Sequence, residues 1–441
     1  MAITAMLPLF FKGVAVVLAT ILLRFLYQGY VHRKAARSLK TQGLVTDKQI
    51  QPLLPHSFLL GHWPILAKFS QSHPPDVNIY TFHTWLLKNR ETYLPDYEFL
   101  PPVVYLDTWP LLEPLAIVTD PVAAAQFTIA NSEPRIELYR KYFIPLTSGL
   151  DVFMSEGHVW KTWRSRLNPG FSQRNLTALT PEILEEVSVF VDRLKQGAAY
   201  GDDGWGPVFQ LQEMATDLTT DVIGRAALDM RLHSQSDQSD TTLKSTLVDQ
   251  FRLLDKFLVV AQGRLTGRWP WHQVAIARNN RTLHNTLLPQ IRKKLHCDSE
   301  KASLRKYTVL DLALMHVDTD GAAGTSMKEE EPTKEFIERL IANLKMIILA
   351  GYDTTASTIC FMAKLLQDHP DCLDKLRAEH DAVLGPDPAP AASVLIASPH
   401  LLHSLQYTLA VIKETLRLYP LTATIRKSCP GYYLTGADST V

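Results

Sequence analysis

Residues 333–369 read TKEFIERLIANLKMIILAGYDTTASTICFMAKLLQDH, and this stretch decides the fold. Thr333 is a residue type that caps helix starts, and Pro370, directly after the stretch, stops a helix. Apolar residues between them recur at the spacing of one helix face: Phe336, Ile337, Leu340, Ile341, Leu344, Ile347 and Ile348. The stretch therefore predicts one helix of about 55 Å, at 1.5 Å per residue, which is long enough to cross a whole domain.

A polar cluster, Ala350-Gly351-Tyr352-Asp353-Thr354-Thr355, interrupts the middle of this apolar helix. Glycine costs about 1 kcal/mol in a helix interior, and a buried acid is costly without a partner. The Thr354 hydroxyl can bond to the Ala350 carbonyl one turn earlier, while Gly351 removes a side chain beside it. We expect a polar notch at which Asp353 and Thr354 pass protons to a bound group. The alternative is a glycine-containing helix packed against a neighbour, with Asp353 paired to a distant cation.

The amino terminus is apolar and is followed by basic residues. Gly13 to Leu23 is an uncharged run in which only Thr20 is polar, and no acidic residue appears before Asp47. We predict a membrane anchor at residues 1–31 and a basic, proline-containing hinge at residues 32–60, with the chain beyond them on the cytosolic side. Arg24 would extend its charge toward the membrane surface. A cleaved signal peptide would end in small residues instead of bulky and basic ones.

The composition is that of an ordinary globular protein. The 441 residues are 46% hydrophobic, and 45 basic residues balance 45 acidic ones, so no global charge points to nucleic acid. Four cysteines without metal-type spacing fit reduced thiols in the cytosol. Two short strands, Val103 to Asp107 and Leu115 to Thr119, precede a mostly helical remainder. Asn175 and Asn280 match the glycosylation pattern, so sugar on either would place the domain in the lumen.

Two further motifs carry charged pairs at helical spacing. Trp160 and Arg164 are four residues apart, so an indole N–H and a guanidinium point the same way and can hold a carboxylate. The alternative is a solvated basic helix with Trp160 in the core. Glu414 and Arg417 are three residues apart on a predicted helix, and surface pairs at this spacing are common. Neither motif alone identifies a function.

Together, in this order, the three motifs resemble the cytochrome P450 family of haem-thiolate monooxygenases. The anchor and the hinge resemble those of its microsomal members, particularly the fungal ones. The resemblance implies a mainly α fold with a small β region, here C-terminally incomplete, behind one transmembrane helix. A catalytic domain would occupy residues 61–441. The implied activity inserts one oxygen atom from O2 into a lipophilic small molecule, in fungal secondary metabolism.

The resemblance also implies roles for individual residues. Asp353 and Thr354 would deliver protons at the oxygen site, with Ala350 and Gly351 beside it. Glu414 and Arg417 would brace the haem-binding core. The haem propionates would be bound by three residues, Trp160, Arg164 and Arg426. The implied cofactor is heme b, with electrons from NADPH through NADPH–cytochrome P450 reductase at the endoplasmic reticulum membrane, where the single-pass protein faces the cytosol.

One departure concerns the iron ligand. The family's ligand cysteine has Phe seven residues before it, Gly four before it and Gly two after it. Cys429 has Thr422 and Ile425 at the first two positions, and only Gly431 agrees. We therefore expect no metal ligand in this sequence, with the axial cysteine beyond Val441 and the haem-ligand loop missing.

Two alternatives follow from this departure. One is an inactive, membrane-tethered P450 remnant that binds a lipophilic compound or a partner without turnover. The other is a non-haem iron oxygenase in which a His-x-Asp pair supplies two iron ligands. Three pairs match that pattern: His296 with Asp298, His316 with Asp318, and His369 with Asp371.

Overall fold

A computed structural model describes residues 2–38, 54–74, 77, 81–95, 97–110, 112–130, 133–198, 206–236, 242–258, 270–295, 307–315 and 333–427. The chain divides into two compact units. The amino-terminal unit consists of Met1–Ile136 and Thr422–Val441, and the helical unit consists of Glu137–Leu421.

The amino-terminal unit contains one long helix, several short ones and a two-stranded sheet. In chain order its elements are α1 (Ala2–Ser38), α2 (Trp63–Gln71), α3 (Phe82–Lys88), α4 (Arg90–Tyr93), β1 (Val103–Leu106), β2 (Leu115–Val118) and α5 (Pro121–Ala125), which a π-helical turn (Gln126–Ala130) continues.

The helical unit contains twelve labelled helices within its described residues. They are α6 (Glu137–Thr147), α7 (Gly157–Leu167), α8 (Gln173–Ala178), α9 (Thr180–Ala198), α10 (Leu211–Leu228), α11 (Thr242–Leu258), α12 (Pro270–Leu295), α13 (Val309–Met315), α14 (Lys334–Asp368), α15 (Pro370–Leu384), α16 (Ala391–Ala397) and α17 (Gln406–Leu418). Short 3-10 turns occupy Asn168–Phe171 and Pro399–Ser404.

The sheet of the amino-terminal unit is antiparallel, with Val103 opposite Val118 and Leu106 opposite Leu115. Both strands lie within one residue of their predicted bounds. Asp120 accepts a hydrogen bond from the Ala123 N–H and so caps α5. Apolar side chains of α2 to α4 and β1 form the core of this unit.

The predicted central helix is confirmed as α14. The Thr333 hydroxyl accepts the Phe336 N–H at its start, and the helix ends at Asp368, before Pro370. Its buried face packs on α10, and its buried apolar side chains include Leu340, Leu344 and Ile348. This contact extends the core of the helical unit along α14.

Helix α1 continues through Ser38, beyond residue 31, and the boundary between anchor and hinge stays a prediction. The rest of the predicted hinge up to residue 53 lies outside the described residues. Lys12–Lys34 is long and apolar enough to cross a membrane, with a mean hydropathy of 1.7. The described helix α14 passes the same test of length and composition, but its apolar face forms the core of the helical unit. The N-terminal helix is therefore compatible with membrane anchoring.

Neither glycosylation motif presents a free asparagine. The Asn175 amide donates to the Gly170 carbonyl at 2.9 Å and accepts from the Tyr307 N–H at 3.2 Å. The Asn280 amide donates to the Pro145 carbonyl at 2.5 Å. Because both amides are internal hydrogen-bonding groups, the absence of sugar on the folded protein would not report its topology.

Candidate functional site

The outer face of α7 carries the predicted donor pair. Trp160 is 38% exposed and Arg164 is exposed. Within the described ranges, neither the Trp160 indole N–H nor the Arg164 guanidinium has a hydrogen-bond or ion-pair partner. Trp163, three residues after Trp160, lies on the adjoining face of α7, where it is buried and stacks on the Phe336 ring at 5.3 Å. The alternative that Trp160 lies in the core is wrong, because Trp163 fills that place.

The predicted bond inside the α14 cluster is confirmed. The Thr354 hydroxyl donates to the Ala350 carbonyl at 2.6 Å. Asp353 and Ala350 are exposed, however, and Thr354 is half-buried, so the expectation of a buried acid is wrong. At 3.6 residues per turn, Ala350 and Thr354 lie opposite the buried Tyr352, and Asp353 lies outside the packed face too. The polar groups therefore avoid the cost of burial.

Gly351 faces a neighbouring helix. A Cβ atom at this position would lie 2.6 Å from Ile223 Cγ1 and 2.7 Å from its Cδ1, on α10. The Thr219 hydroxyl of α10 donates to the Tyr352 carbonyl at 2.8 Å beside this contact. Close packing, the alternative considered for this glycine, is what the structure shows. A place for Gly351 beside an oxygen site stays a prediction.

Glu414 and Arg417 form the expected pair on α17. Two hydrogen bonds of 2.7 Å join the guanidinium to the carboxylate, and they hold the pKa of Glu414 below its usual value. Both side chains are exposed. The pair is therefore a surface brace along α17, and its role in a haem-binding core stays a prediction.

The position of α17 depends on a residue that sequence reasoning missed. The Glu379 carboxylate on α15 accepts the Tyr407 and Thr408 N–H groups at 2.6 and 2.8 Å, at the start of α17. The Tyr419 ring after α17 stacks on Phe361 of α14 at 4.3 Å. No local pattern predicts the Glu379 cap, because the residues that it joins are far apart in the sequence.

A buried lysine, also missed, lies one and a half turns before Ala350 on α14. The Lys345 ammonium donates to the Leu146 carbonyl at 3.3 Å and to the Asn280 amide oxygen at 3.1 Å. Burial lowers the pKa of Lys345 from 10.5 to about 8. A single lysine inside the apolar run IANLKMIIL was the available sequence signal.

The last predicted propionate ligand, Arg426, belongs to the amino-terminal unit. Its backbone forms an antiparallel bridge with Arg135, and its Nε atom is buried without a hydrogen-bond partner in the described chain. Cys429 lies outside the described residues, as do His296 with Asp298 and His316 with Asp318. His369 and Asp371 are exposed where α14 meets α15. Within the described ranges, no three His, Cys, Asp or Glu residues form a group that could hold a metal ion.

Known proteins resemble this chain in sequence and in fold. The family model described as Cytochrome P450 matches residues 104–432. The mainly helical fold with its small sheet, the three motifs and this match agree: the chain belongs to the cytochrome P450 family.

Relatives and solved structures agree with this assignment. The chain is 33% identical over 435 residues to cytochrome P450 monooxygenase polC of Polytolypa hystricis, covering 97% of this chain and 72% of the relative. It is 31% identical to cytochrome P450 monooxygenase acrF of Aspergillus aculeatus, covering 73% of this chain and 61% of the relative. The crystal structure of the cytochrome P450DA heme domain superposes with a TM-score of 0.61 at 18% identity, covering 87% of this chain and 74% of that one. The similarity to fungal relatives makes this a fungal-type cytochrome P450.

Proposed function

We propose that this protein is a haem-dependent monooxygenase that inserts one oxygen atom from O2 into a lipophilic small molecule. The observation that carries the proposal is the exposed face of α7, on which Trp160 and Arg164 present two donors without partners in the described chain. The notch on α14, in the same unit, adds a hydroxyl and a carboxylate. The names of the relatives, which are cytochrome P450 monooxygenases, support the same reaction class.

The donor set fits a haem. A haem propionate is a carboxylate, and an arginine with an indole N–H four residues away supplies charge-assisted hydrogen bonds to such a group. Trp160 and Arg164 would hold one propionate. In the amino-terminal unit, taken by itself, the buried Nε of Arg426 has no hydrogen-bond partner in the described chain, and its role as a propionate ligand stays a prediction. The bound haem would supply the activation of dioxygen. The described residues supply no axial thiolate at these positions, and Cys429 is not proposed as one.

The α14 notch is suited to moving protons. Because the Thr354 hydroxyl gives its hydrogen to the Ala350 carbonyl, its oxygen lone pairs remain available to accept from a group bound at the notch. Asp353, exposed beside it, can exchange protons with solvent and supply them at Thr354 Oγ1. In this proposal, the Thr354 hydroxyl holds the proton in position, and the Asp353 carboxyl takes up each further proton from solvent.

The remaining parts of the proposal concern location and partners. Helix α1 would anchor the protein in the endoplasmic reticulum membrane, with the catalytic residues in the cytosol, as its length and the basic residues that follow it support. Electrons would come from NADPH through NADPH–cytochrome P450 reductase, and the cofactor would be heme b. The fungal relatives support a secondary-metabolite substrate as a working hypothesis.

Haem binding by variants of the full protein tests the proposal. Losing a charge-assisted hydrogen bond costs about 1.5–3 kcal/mol, so we expect Arg164→Ala to weaken hemin binding by roughly 10- to 100-fold. Trp160→Phe keeps an aromatic ring and removes the indole N–H, and we expect a smaller loss. Arg174→Ala, at an exposed arginine of α8, is the matched control and should bind like the unmodified protein.

A reduced, carbon monoxide-treated difference spectrum then tests the reaction class. A thiolate-haem band supports the monooxygenase. Haem uptake with a band of another ligand, or no haem uptake at all, contradicts it and favours the inactive remnant. Equal losses in the Arg164→Ala and Arg174→Ala variants would contradict the assignment of α7 as the propionate-binding face.

A further inference from the structure

Four helices of the helical unit meet at a buried polar cluster around Lys345. The Lys345 ammonium on α14 donates to the Leu146 carbonyl of α6 at 3.3 Å and to the Asn280 amide oxygen of α12 at 3.1 Å. The amides of Asn280 and of Gln250 on α11 both donate to the Pro145 carbonyl, at 2.5 and 3.5 Å. We call these five residues the lysine cluster, and each of the four helices supplies at least one of them.

The lysine cluster holds a positive charge that no acid of the described chain neutralises. Lys345 is 7% exposed, and within the described residues its ammonium forms no ion pair with a carboxylate. Glu338, whose charge acts on Lys345 from the same helix, is joined instead to His284 at 3.3 Å. Lys294, a partly buried lysine of α12, has two aspartate partners at 2.9 and 3.1 Å. A buried charge without such a partner is costly, so the lysine cluster is suited to an anion.

The cluster also has hydrogen-bonding capacity that the described chain leaves unused. An ammonium has three donors, and two of those of Lys345 are accepted. Gln250 is fully buried, and its Oε1 atom has no hydrogen-bond partner in the described chain. Its one bond is long, at 3.5 Å, so the amide can turn and present its NH2 group to a ligand. One further donor on each side chain matches the two oxygens of a carboxylate.

The segment after α6 connects the lysine cluster with the face of α14 that carries the proposed proton notch. Ala350 lies five residues after Lys345, which is about 7.5 Å along α14 and about 140° around it. Leu146, at the end of α6, accepts the bond from Lys345, and six residues later the Val152 N–H donates to the Asn343 amide oxygen at 2.7 Å. Asn343 is seven residues before Ala350 and therefore lies on the same face. A long molecule that follows this segment can have one end at the cluster and the other at the notch.

We infer that Lys345 binds the carboxylate of a lipophilic acid, and that the substrate of this protein belongs to that class. The inference rests on the proposed function and adds the chemical class of the substrate. The Lys345 ammonium would hold one carboxylate oxygen, and a Gln250 N–H would donate to the other. The apolar remainder of the acid would extend along the segment after α6 to the notch.

Binding of this kind has a pH dependence with a definite sign. Burial lowers the pKa of Lys345 to about 8, so the ammonium is charged below that pH and loses its proton above it. An aliphatic carboxylate stays charged, so its affinity should fall by about tenfold per pH unit above about 8. The charged groups that face Lys345 are Glu338 and its partner His284, and carboxyl and imidazole groups ordinarily titrate below pH 8. Charged neighbours of the cluster on α6, α11 and α12 are exposed: Arg140, Asp249, Arg252, Arg278 and Arg281.

Equilibrium dialysis of the full protein in a non-ionic detergent tests the inference, with decanoate and its methyl ester as probes. We expect decanoate to bind roughly 10- to 100-fold more tightly than the ester at pH 7, because the ester cannot form a hydrogen bond between two charged groups. Lys345→Met should remove that preference, and Lys345→Arg should keep it up to pH 10 because a guanidinium stays charged. Lys364→Met, at an exposed lysine of the same helix, is the matched control and should bind like the unmodified protein.

The pH profile of the unmodified protein tests the same site without any substitution. A decanoate affinity that is constant between pH 7 and 10, or equal affinities for decanoate and its ester, overturns the inference. Equal losses in Lys345→Met and Lys364→Met also overturn it. Hemin binding, measured in parallel, separates the two proposals. Haem uptake without a preference for decanoate overturns the carboxylate site alone, whereas the preference without haem uptake supports that site and contradicts the monooxygenase.

Discussion

The role of Gly351 can be decided by pairing its substitution with one at Ile223. In Gly351→Ala the new Cβ lies 2.6 Å from Ile223 Cγ1, which is closer than real Cβ atoms approach their neighbours. Overpacking of this kind costs about 1–3 kcal/mol, while replacing glycine by alanine in a helix gains about 1 kcal/mol. We therefore expect a net destabilisation of about 0–2 kcal/mol.

Truncation of Ile223 should reverse the sign of the glycine substitution. Ile223 is buried, so Ile223→Ala alone should cost about 2–5 kcal/mol. In the Ile223→Ala background the clash is gone, and Gly351→Ala should then be neutral or stabilising. The double variant should be more stable than the sum of the single effects by about 1–3 kcal/mol, as is usual for residues in direct contact.

Denaturant unfolding of the four proteins, followed by circular dichroism, measures this coupling. Gly197→Ala is the matched control, because its Cβ would meet the Phe209 ring at an ordinary 3.6 Å and should cost nothing. Additive effects of the Gly351 and Ile223 substitutions would refute the packing explanation. Additive stability effects together with lost turnover in Gly351→Ala would instead support a place for Gly351 beside the oxygen site.

Three further predictions concern helices α14, α15 and α17. Thr354→Val should leave stability nearly unchanged and lower product formed per NADPH consumed, measured against Thr358→Val, which removes an equivalent bond one turn later. Glu379→Gln should lower the melting temperature because α17 loses charge at its cap, and an unchanged value would contradict that role. Lys345 has a folded pKa of about 8 against 10.5, so the unfolded chain holds more protons between these values and stability should rise by about 3 kcal/mol across that window. Lys345→Met should abolish that rise in pH-dependent denaturant unfolding, and a rise that persists would assign it to other groups.

The local sequence pattern predicted the helices and strands, but it did not predict which distant residues they contact. Residue spacing was enough to place α14 and the bond from Thr354 to Ala350, because both depend on residues within one or two turns. The contact of Gly351 with Ile223 joins residues that are more than a hundred positions apart, so no helical period reveals it. The contacts of Arg33 with residues 58 and 107, and of Gly29 with Trp109, also join distant positions that no local pattern connects.

The two tryptophans of α7 show which property of a site the sequence does not predict, namely which of two similar residues is buried. Trp160 and Trp163 are three residues apart on one helix, and their surroundings in sequence are equally basic. Burial of Trp163 depends on Phe336, which α14 brings against it. Spacing predicted that Trp160 and Arg164 share a face, but only the packing of α14 shows that this face points away from the core.

Helix α14 carries its packing residues and its proposed proton-relay residues at different angles around its axis. Tyr352 and Gly351 lie against α10, where the Thr219 hydroxyl donates to the Tyr352 carbonyl and Ile223 leaves no room for a larger side chain at position 351. Asp353 and Thr354 follow directly in the sequence but lie outside that contact, so changes there cost little packing. Substitutions at adjacent positions should therefore divide into two classes. Those at 351 and 352 should lower the free energy of unfolding, and those at 353 and 354 should alter proton delivery in a protein of normal stability. Such a division within four consecutive residues would be unexpected for a helix whose only role is to pack.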